Sequence, residues 1–360
     1  MPVRIREALR TLPAYAPGRT VPGAVKLASN ELSFPTLPAV AEAIAAAVAD
    51  DSPTAATGIN RYPDNGAALL LQALSAHTGA PVPRLIAGCG SVALCQQVVQ
   101  AVAGEGDEVI FGWRSFEAYP IVTRITGAKA VQVPVTAGHA LDLDAMAAAV
   151  TAATRLIFVC TPNNPTGTAV NASDLEALLD AVPDDVLVVV DEAYREFDTA
   201  AESPDGVQIA QSRPNVLALR TLSKAYGLAG IRVGYAVGDE PVINALRKVA
   251  IPFALNALAQ AAAIAALGQR QTLRPRWQQV ISERARVTQA LRGNGLQVPE
   301  SQANFVWLPL QEAAADFSAH CEANGVIVRA FPEAGGGARV TIGAPQENDQ
   351  FLAAAASFVH

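Results

Sequence analysis

Thr221-Leu-Ser-Lys-Ala-Tyr-Gly-Leu-Ala-Gly-Ile-Arg-Val-Gly-Tyr235 sets one lysine among small and apolar residues and places an arginine eight positions later. Lys224 is one of four lysines in the chain, with Lys26, Lys129 and Lys248, while arginine carries nearly all the remaining positive charge. A guanidinium stays protonated and is no nucleophile, whereas a lysine amine can lose its proton, attack a carbonyl and form a Schiff base. Lys224 is therefore the candidate covalent anchor for an aldehyde cofactor. An isolated Ser-Lys pair reads more readily as a surface lysine with a buried stem, so the assignment depends on the neighbouring motifs.

The chain has 360 residues, 51% of them hydrophobic and 16% charged. That is enough for one large domain and a smaller one around an ample core, and it is not the composition of a disordered chain. A net charge of −7 argues against a nucleic-acid-binding surface, which needs a concentrated basic face. Cys89, Cys95, Cys160 and Cys321 are scattered, without CxxC pairs or a histidine cluster, so neither a metal site nor a disulfide framework is expected. The first ten residues carry charges where a signal peptide needs an apolar centre, and no stretch reaches about 18 uninterrupted apolar residues. A cytoplasmic protein with no membrane span is expected.

Short β-branched runs recur at 107–111, 130–135, 156–160, 186–190, 216–219 and 233–237, some separated by amphipathic stretches such as 172–182. Few polar breaks interrupt them, as in strands covered on both faces, so the pattern predicts a mostly parallel sheet between helices. After Pro252 the texture changes to two helical stretches, 254–267 and 273–292, then strand candidates at 304–308, 326–331 and 339–342. The expected organisation is a large α/β domain over 41–255, with 1–40 and 256–360 forming a smaller α+β domain.

Three further motifs sit where open α/β sheets place their ligands, at the carboxyl ends of strands. Thr161-Pro-Asn-Asn-Pro-Thr-Gly167 follows one run, and the amide of Asn164 could donate to a ring oxygen there. Asp191-Glu-Ala-Tyr194 follows the next, and a buried Asp191 carboxylate requires a cationic partner, which a protonated pyridine nitrogen would supply. Tyr194 could reach the phenolate oxygen of the same ring. Ile86-Ala-Gly-Cys-Gly-Ser-Val-Ala-Leu94 reads as a small-residue turn entering an apolar helix, the arrangement that cradles a phosphate with backbone N–H groups, Ser91 and Val92 among them. Taken singly, each has an ordinary explanation as a turn or helix cap. Four such features in one chain are much more specific.

In their order along the chain these residues resemble the fold-type I pyridoxal-phosphate aminotransferases, and the resemblance spans nearly the whole sequence, from Arg61-Tyr-Pro-Asp64 to Arg339-Val-Thr-Ile-Gly343. It implies pyridoxal 5′-phosphate as cofactor, with Lys224 as its covalent anchor and later the proton carrier, and Asp191, Asn164 and Tyr194 around the ring. Ser91, Val92, Thr221, Ser223 and Arg232 would grip the phosphate, and Phe116 would stack on the pyridine face. Tyr62 matches a tyrosine that reaches the neighbouring subunit's cofactor, which implies a homodimer. Arg339 would pair with the substrate carboxylate, and Asn30 would lie at the substrate.

Within the family the chain resembles the histidinol-phosphate branch in Leu27-Ala-Ser-Asn-Glu31 and in the lysine motif, but has Ser91-Val92 where that branch usually carries an acidic pair. Gly88-Cys-Gly-Ser-Val-Ala-Leu94, Trp113-Arg-Ser-Phe-Glu-Ala-Tyr-Pro120 and Ser301-Gln-Ala-Asn-Phe-Val-Trp307 are similar to actinobacterial aromatic amino acid aminotransferases. The resemblance thus implies transfer of the amino group of phenylalanine, tyrosine or tryptophan to a 2-oxo acid such as 2-oxoglutarate by a ping-pong route. Tyr15, Phe116, Tyr119 and Phe253 could line an apolar side-chain pocket. The alternative is histidinol-phosphate transamination, with Arg329 and Arg339 facing one phosphate.

Overall fold

The β-branched runs of the middle of the chain alternate strictly between two apolar environments. In Leu187–Asp191, Val188 and Val190 join one buried cluster while Leu187 and Val189 join the other, and all five residues are buried. Side chains alternate across a strand, so a run that is apolar at every position needs cover on both faces. Each fully buried valine or leucine there contributes roughly 1.5–3 kcal/mol of burial.

The computed structural model describes residues 3–10, 12, 18–49, 58–333 and 335–358. Its strands in chain order are β1 (Val25–Lys26), β2 (Leu85–Cys89), β3 (Glu108–Trp113), β4 (Lys129–Pro134), β5 (Thr154–Cys160), β6 (Leu187–Asp191), β7 (Val216–Thr221), β8 (Val233–Val237), β9 (Phe305–Leu308), β10 (Val326–Ile327), β11 (Arg329–Phe331) and β12 (Gly337–Thr341). Seven form the central sheet in the order β2-β8-β7-β6-β5-β3-β4, with β8 alone antiparallel to its neighbours. The mostly parallel sheet read from the sequence is the one observed.

Helices cover both faces. Gly90–Val102, Ala118–Thr126 and Glu240–Val249 pack on one side, where Leu94, Val98, Tyr119, Val122, Ile243 and Leu246 are buried. Helices that include Ala68–Thr78, Ala172–Ala181, Ala257–Gly268 and Arg270–Gly293 lie on the other. Asn256 caps Ala257–Gly268 by accepting from Ala259 N at 2.8 Å.

A second sheet, β11-β12-β9, is antiparallel, and β1 near the start of the chain pairs in parallel with β10 near its end. The stretch read as one strand at 326–331 divides there between two sheets. Helices Ala314–Ala323 and Pro345–Ala356 pack beside it through the edge-to-face pair Phe317 and Phe351.

The stretch at 86–90 differs from its reading as a turn. Its first residues are strand β2, paired with β8 in the register Gly88↔Gly234, and the turn contracts to Gly90 at φ +76°. Two glycines make this junction possible. A Cβ on Gly90 would collide with the Arg232 guanidinium, and one on Gly234 with the backbone nitrogen of Ser91.

Candidate active site

Strand parity decides which polar residues meet at the sheet's carboxyl edge. Asp191 falls on the face of Leu187 and Val189, and Thr221 on the face of Leu217 and Leu219, which is the same face. Their neighbours Glu192 and Arg220 fall on the opposite face, where Arg220 Nε donates to Glu192 Oε2 at 3.0 Å.

Asp191 is 3% exposed. Its Oδ2 accepts the Tyr119 hydroxyl at 2.7 Å, and Oδ1 has no hydrogen-bond partner. Burial pushes its pKa from 3.8 up to about 6, against the pull of the Tyr119 hydroxyl. Tyr119 is held by stacking on Phe158, with centroids 4.3 Å apart and planes at 11°.

Lys224 lies between β7 and β8 in a loop closed by Leu222 N–H to Val233 O and Gly227 N–H to Lys224 O. The indole N–H of Trp277 donates to the carbonyl of the next residue, Ala225, at 2.6 Å. Lys224 Nζ donates to Ser29 O at 3.0 Å. Burial, then the positive charge of Arg339, lowers its pKa from 10.5 to about 7.

Asn164 Oδ1 accepts from Arg339 Nη1 at 2.5 Å, which leaves the Nδ2 hydrogens as donors. Arg339 Nη2 donates to Ala28 O at 2.7 Å. Tyr194 Oη accepts from Asn30 Nδ2 at 3.0 Å, which leaves its own hydroxyl hydrogen to donate. Asn30, at φ +56°, is fixed by its N–H to Thr341 Oγ1 and by Asn304 Nδ2 on its carbonyl. Burial raises the Tyr194 pKa, so it keeps that hydrogen at neutral pH.

Helix Gly90–Val102 begins beside these groups without a side-chain cap, so its first N–H groups are open to an anion. Arg232, at φ +66°, lies against Gly90 and donates from Nη1 to Ser223 Oγ at 3.3 Å. Thr221 Oγ1 accepts from Ser223 N–H at 3.1 Å.

One cavity of about 190 Å³ is lined by Asn30, Ser91, Val92, Phe116, Asn164, Asp191, Tyr194, Thr221, Ser223, Lys224, Arg232, Arg329 and Arg339. The candidate site residues therefore converge, with two exceptions. Tyr15 lies outside the described residues. Tyr62 is 77% exposed and stacks on Phe253 at 4.6 Å, away from this chain's own cavity.

The apolar pocket expected from Phe116, Tyr119 and Phe253 needs correcting. Only Phe116 lines the cavity, Tyr119 sits beneath Asp191, and Phe253 is on the surface at 41% exposure. A tyrosine buried inside an apolar helix face must find a partner for its hydroxyl, and that was the signal for the role of Tyr119. Sequence reading also passed over Glu117, whose carboxylate accepts from Arg329 Nη2 at 3.2 Å on both oxygens, and the Ser29 carbonyl, which no pattern reveals. Among the described residues no cluster of His, Cys, Asp and Glu could hold a metal ion, and no helix is long and apolar enough to cross a membrane.

Residues 22–355 match the family model described as aminotransferase class I and II. The chain is 56% identical to the aromatic amino acid aminotransferase of Rhodococcus jostii over 357 residues, covering 99% of this chain and 96% of that protein. It is 54% identical to the aromatic amino acid aminotransferase of Streptomyces coelicolor over 359 residues, covering 99% and 97%. Its fold superposes with a TM-score of 0.87 on the crystal structure of histidinol-phosphate aminotransferase from Sinorhizobium meliloti in complex with pyridoxal-5′-phosphate, at 27% identity and covering 98% and 96%.

Proposed function

We propose, from the premise that this chain belongs to the class I and II aminotransferases, that it moves the amino group of phenylalanine, tyrosine or tryptophan to a 2-oxo acid such as 2-oxoglutarate, with pyridoxal 5′-phosphate as cofactor. The observation that carries the cofactor is the orphaned Oδ1 of buried Asp191 in a cavity that also holds Lys224 Nζ. A carboxylate in that position fits a cationic ring nitrogen, because it is otherwise costly to keep ionised.

When bound, pyridoxal phosphate supplies a carbonyl for amine capture and a ring that draws electron density from the substrate Cα. Asp191 would hold the proton on the ring nitrogen. Asn164 Nδ2 and the Tyr194 hydroxyl, each with its other polar function already engaged, would donate to the ring's phenolate oxygen. Phe116 would cover a ring face. The N-terminal N–H groups at Ser91 and Val92, the hydroxyls of Thr221 and Ser223, and the Arg232 guanidinium would grip the phosphate.

Lys224, with its pKa near 7, offers a neutral amine at physiological pH and can both take a proton from Cα and return it. Arg339 orients the substrate through its carboxylate, and Asn30 holds Tyr194 while closing the floor beside it. We assign residues 41–255 to the cofactor-holding domain and 1–40 with 256–360 to the smaller one. The active unit is a homodimer in the cytoplasm, and the exposed Tyr62 reaches the phosphate in the partner's cavity.

The aromatic reading is supported by the relatives' names and by Glu117, which occupies the Arg329 that histidinol phosphate would need. The test is a set of half-reactions on purified protein, following cofactor absorbance as it passes from aldehyde to amine form. Phenylalanine, tyrosine and tryptophan should convert it at least about tenfold faster than histidinol phosphate. The reverse order would assign the chain to histidinol phosphate.

A further inference from the structure

The Tyr194 hydroxyl is free to donate into the cavity only because its oxygen accepts from Asn30 Nδ2. Packing sets where that oxygen sits, since the Tyr194 ring meets Phe305 edge to face, with centroids 5.0 Å apart and planes at 85°. Packing does not set which way the hydroxyl hydrogen points. An amide carries a donor on one side and an acceptor on the other. Asn30 turned over would offer Oδ1 to Tyr194 and take that hydrogen out of the cavity.

Thr341 sets the sense of the amide. It is 2% exposed and lies directly across from Phe305 in the ladder of β9 and β12, so the two side chains project from one face. Its Oγ1 accepts from Asn30 N–H at 2.9 Å and donates to Asn30 Oδ1 at 3.2 Å. Asn304 Nδ2 donates to Asn30 O at 3.1 Å and fixes the backbone there, at φ +56°. Turning the amide over would set a donor, in place of this acceptor, against the Thr341 hydrogen, and a buried donor left unpaired is costly.

We propose that Thr341 is a positioning residue that directs the Tyr194 hydrogen into the cavity by way of the Asn30 amide, a proposal that rests on the pyridoxal-phosphate reading of the site. Thr341 does not itself line the cavity. Its hydroxyl gives to Asn30 Oδ1, Asn30 Nδ2 gives to Tyr194 Oη, and the Tyr194 hydroxyl would give to the ring oxygen of the cofactor. Asn30 is 1% exposed and Tyr194 4%, so water does not compete for these bonds.

The experiment titrates the cofactor-free unsubstituted, Thr341→Val, Thr341→Ser and Asn30→Asp proteins, following tryptophan fluorescence. The two ligands are pyridoxal 5′-phosphate and 3-deoxypyridoxal 5′-phosphate, which lacks the ring oxygen. Thr341→Val keeps the shape and removes the hydroxyl, and should bind pyridoxal phosphate about tenfold more weakly, the scale of one hydrogen bond to a charged oxygen, with the analogue unchanged. Thr341→Ser keeps the hydroxyl and should match the unsubstituted protein for both ligands. Asn30→Asp offers Tyr194 an acceptor and should lose more affinity for pyridoxal phosphate than for the analogue. A donor at the ring oxygen favours its charged form, so the pH midpoint of the bound cofactor's absorbance should rise by about one unit in Thr341→Val. Equal weakening toward both ligands, no weakening, or a loss shared by Thr341→Ser overturns the proposal. If Thr341→Val does not fold, the ligand comparison in Asn30→Asp decides. An unsubstituted protein that binds neither ligand overturns the cofactor reading, and the proposal falls with it.

Discussion

Tyr119 donates its hydroxyl to Asp191 Oδ2 at 2.7 Å while Oδ1 of the same carboxylate has no partner. One oxygen is tethered and the other is held ready, and the cost of that readiness appears as a raised pKa. In the cofactor-free protein the Asp191 pKa is about 6 rather than 3.8. The folded state therefore holds a proton that the unfolded state has released between those values, so stability falls as pH rises through that window.

Asp191→Asn should accordingly stabilise the cofactor-free protein. The gain is absent below about pH 4 and reaches at most about 3 kcal/mol above about pH 6, at about 1.4 kcal/mol for each tenfold change in proton affinity. Urea denaturation of both proteins at pH 4.5 and pH 7.5 measures it, and a gain no larger at the higher pH would refute the account. Cofactor binding should weaken in the same variant, because the neutral amide cannot pair with a cationic nitrogen.

Tyr119→Phe removes the hydroxyl that pulls the Asp191 pKa down, so that pKa should move further up. A hydrogen bond to a charged group contributes about 1.5–3 kcal/mol. Cofactor affinity at pH 7 should fall about tenfold or more, and the acid limb of the activity profile should shift to higher pH. Fluorescence titration and a pH–rate profile report the two effects. A weaker cofactor complex with an unmoved acid limb would mean that Tyr119 only packs.

For Lys224, the midpoint of amine acylation against pH should lie near 7 in the cofactor-free protein, instead of 10.5. Burial is the main cause and the Arg339 charge the second, so Arg339→Gln should raise the midpoint. Mass spectrometry of the Lys224 peptide after brief labelling at a series of pH values gives both numbers. A midpoint above 9 in the unsubstituted protein would count against a neutral amine at physiological pH.

On the opposite face of the sheet, Glu192 is 1% exposed and depends on Arg220 and on Gly206 N–H at 3.0 Å. Arg220→Met leaves this carboxylate with Gly206 N–H and the more distant Arg195 Nε at 3.8 Å, and breaking one half of a buried pair costs up to about 3–5 kcal/mol. Urea midpoints should show the loss, with Arg220→Met/Glu192→Gln recovering a large part of it.

Tyr62 provides a test of the dimer. Tyr62→Ala alone should weaken activity about tenfold, and Lys224→Ala should abolish it. When the two variants are mixed and reassembled, a hybrid dimer holds one site with both Lys224 and the partner's Tyr62 intact, so activity should rise above that of either parent. No rise on mixing would argue that Tyr62 does not act across the interface.

The sequence by itself determined the sheet and most of the cavity. Continuous apolar runs such as 186–190 have one stable use, as strands covered on both faces, and a polar motif directly after such a run must emerge at the sheet edge, which located Asp191, Asn164 and Lys224. The tertiary structure alone decided what lies across from what. Asp191 and Glu192 are adjacent in sequence, yet strand parity and neighbouring registers send one to Tyr119 and the cavity and the other to Arg220 behind the sheet. The pairing of Glu117 with Arg329, 212 positions away, and the placement of Arg329 beside Arg339 depend on how a three-stranded sheet docks against a helix from the other sheet. Periodicity and motif spacing are local properties of a chain. Contact between distant side chains is set by register and packing, which only the folded molecule contains.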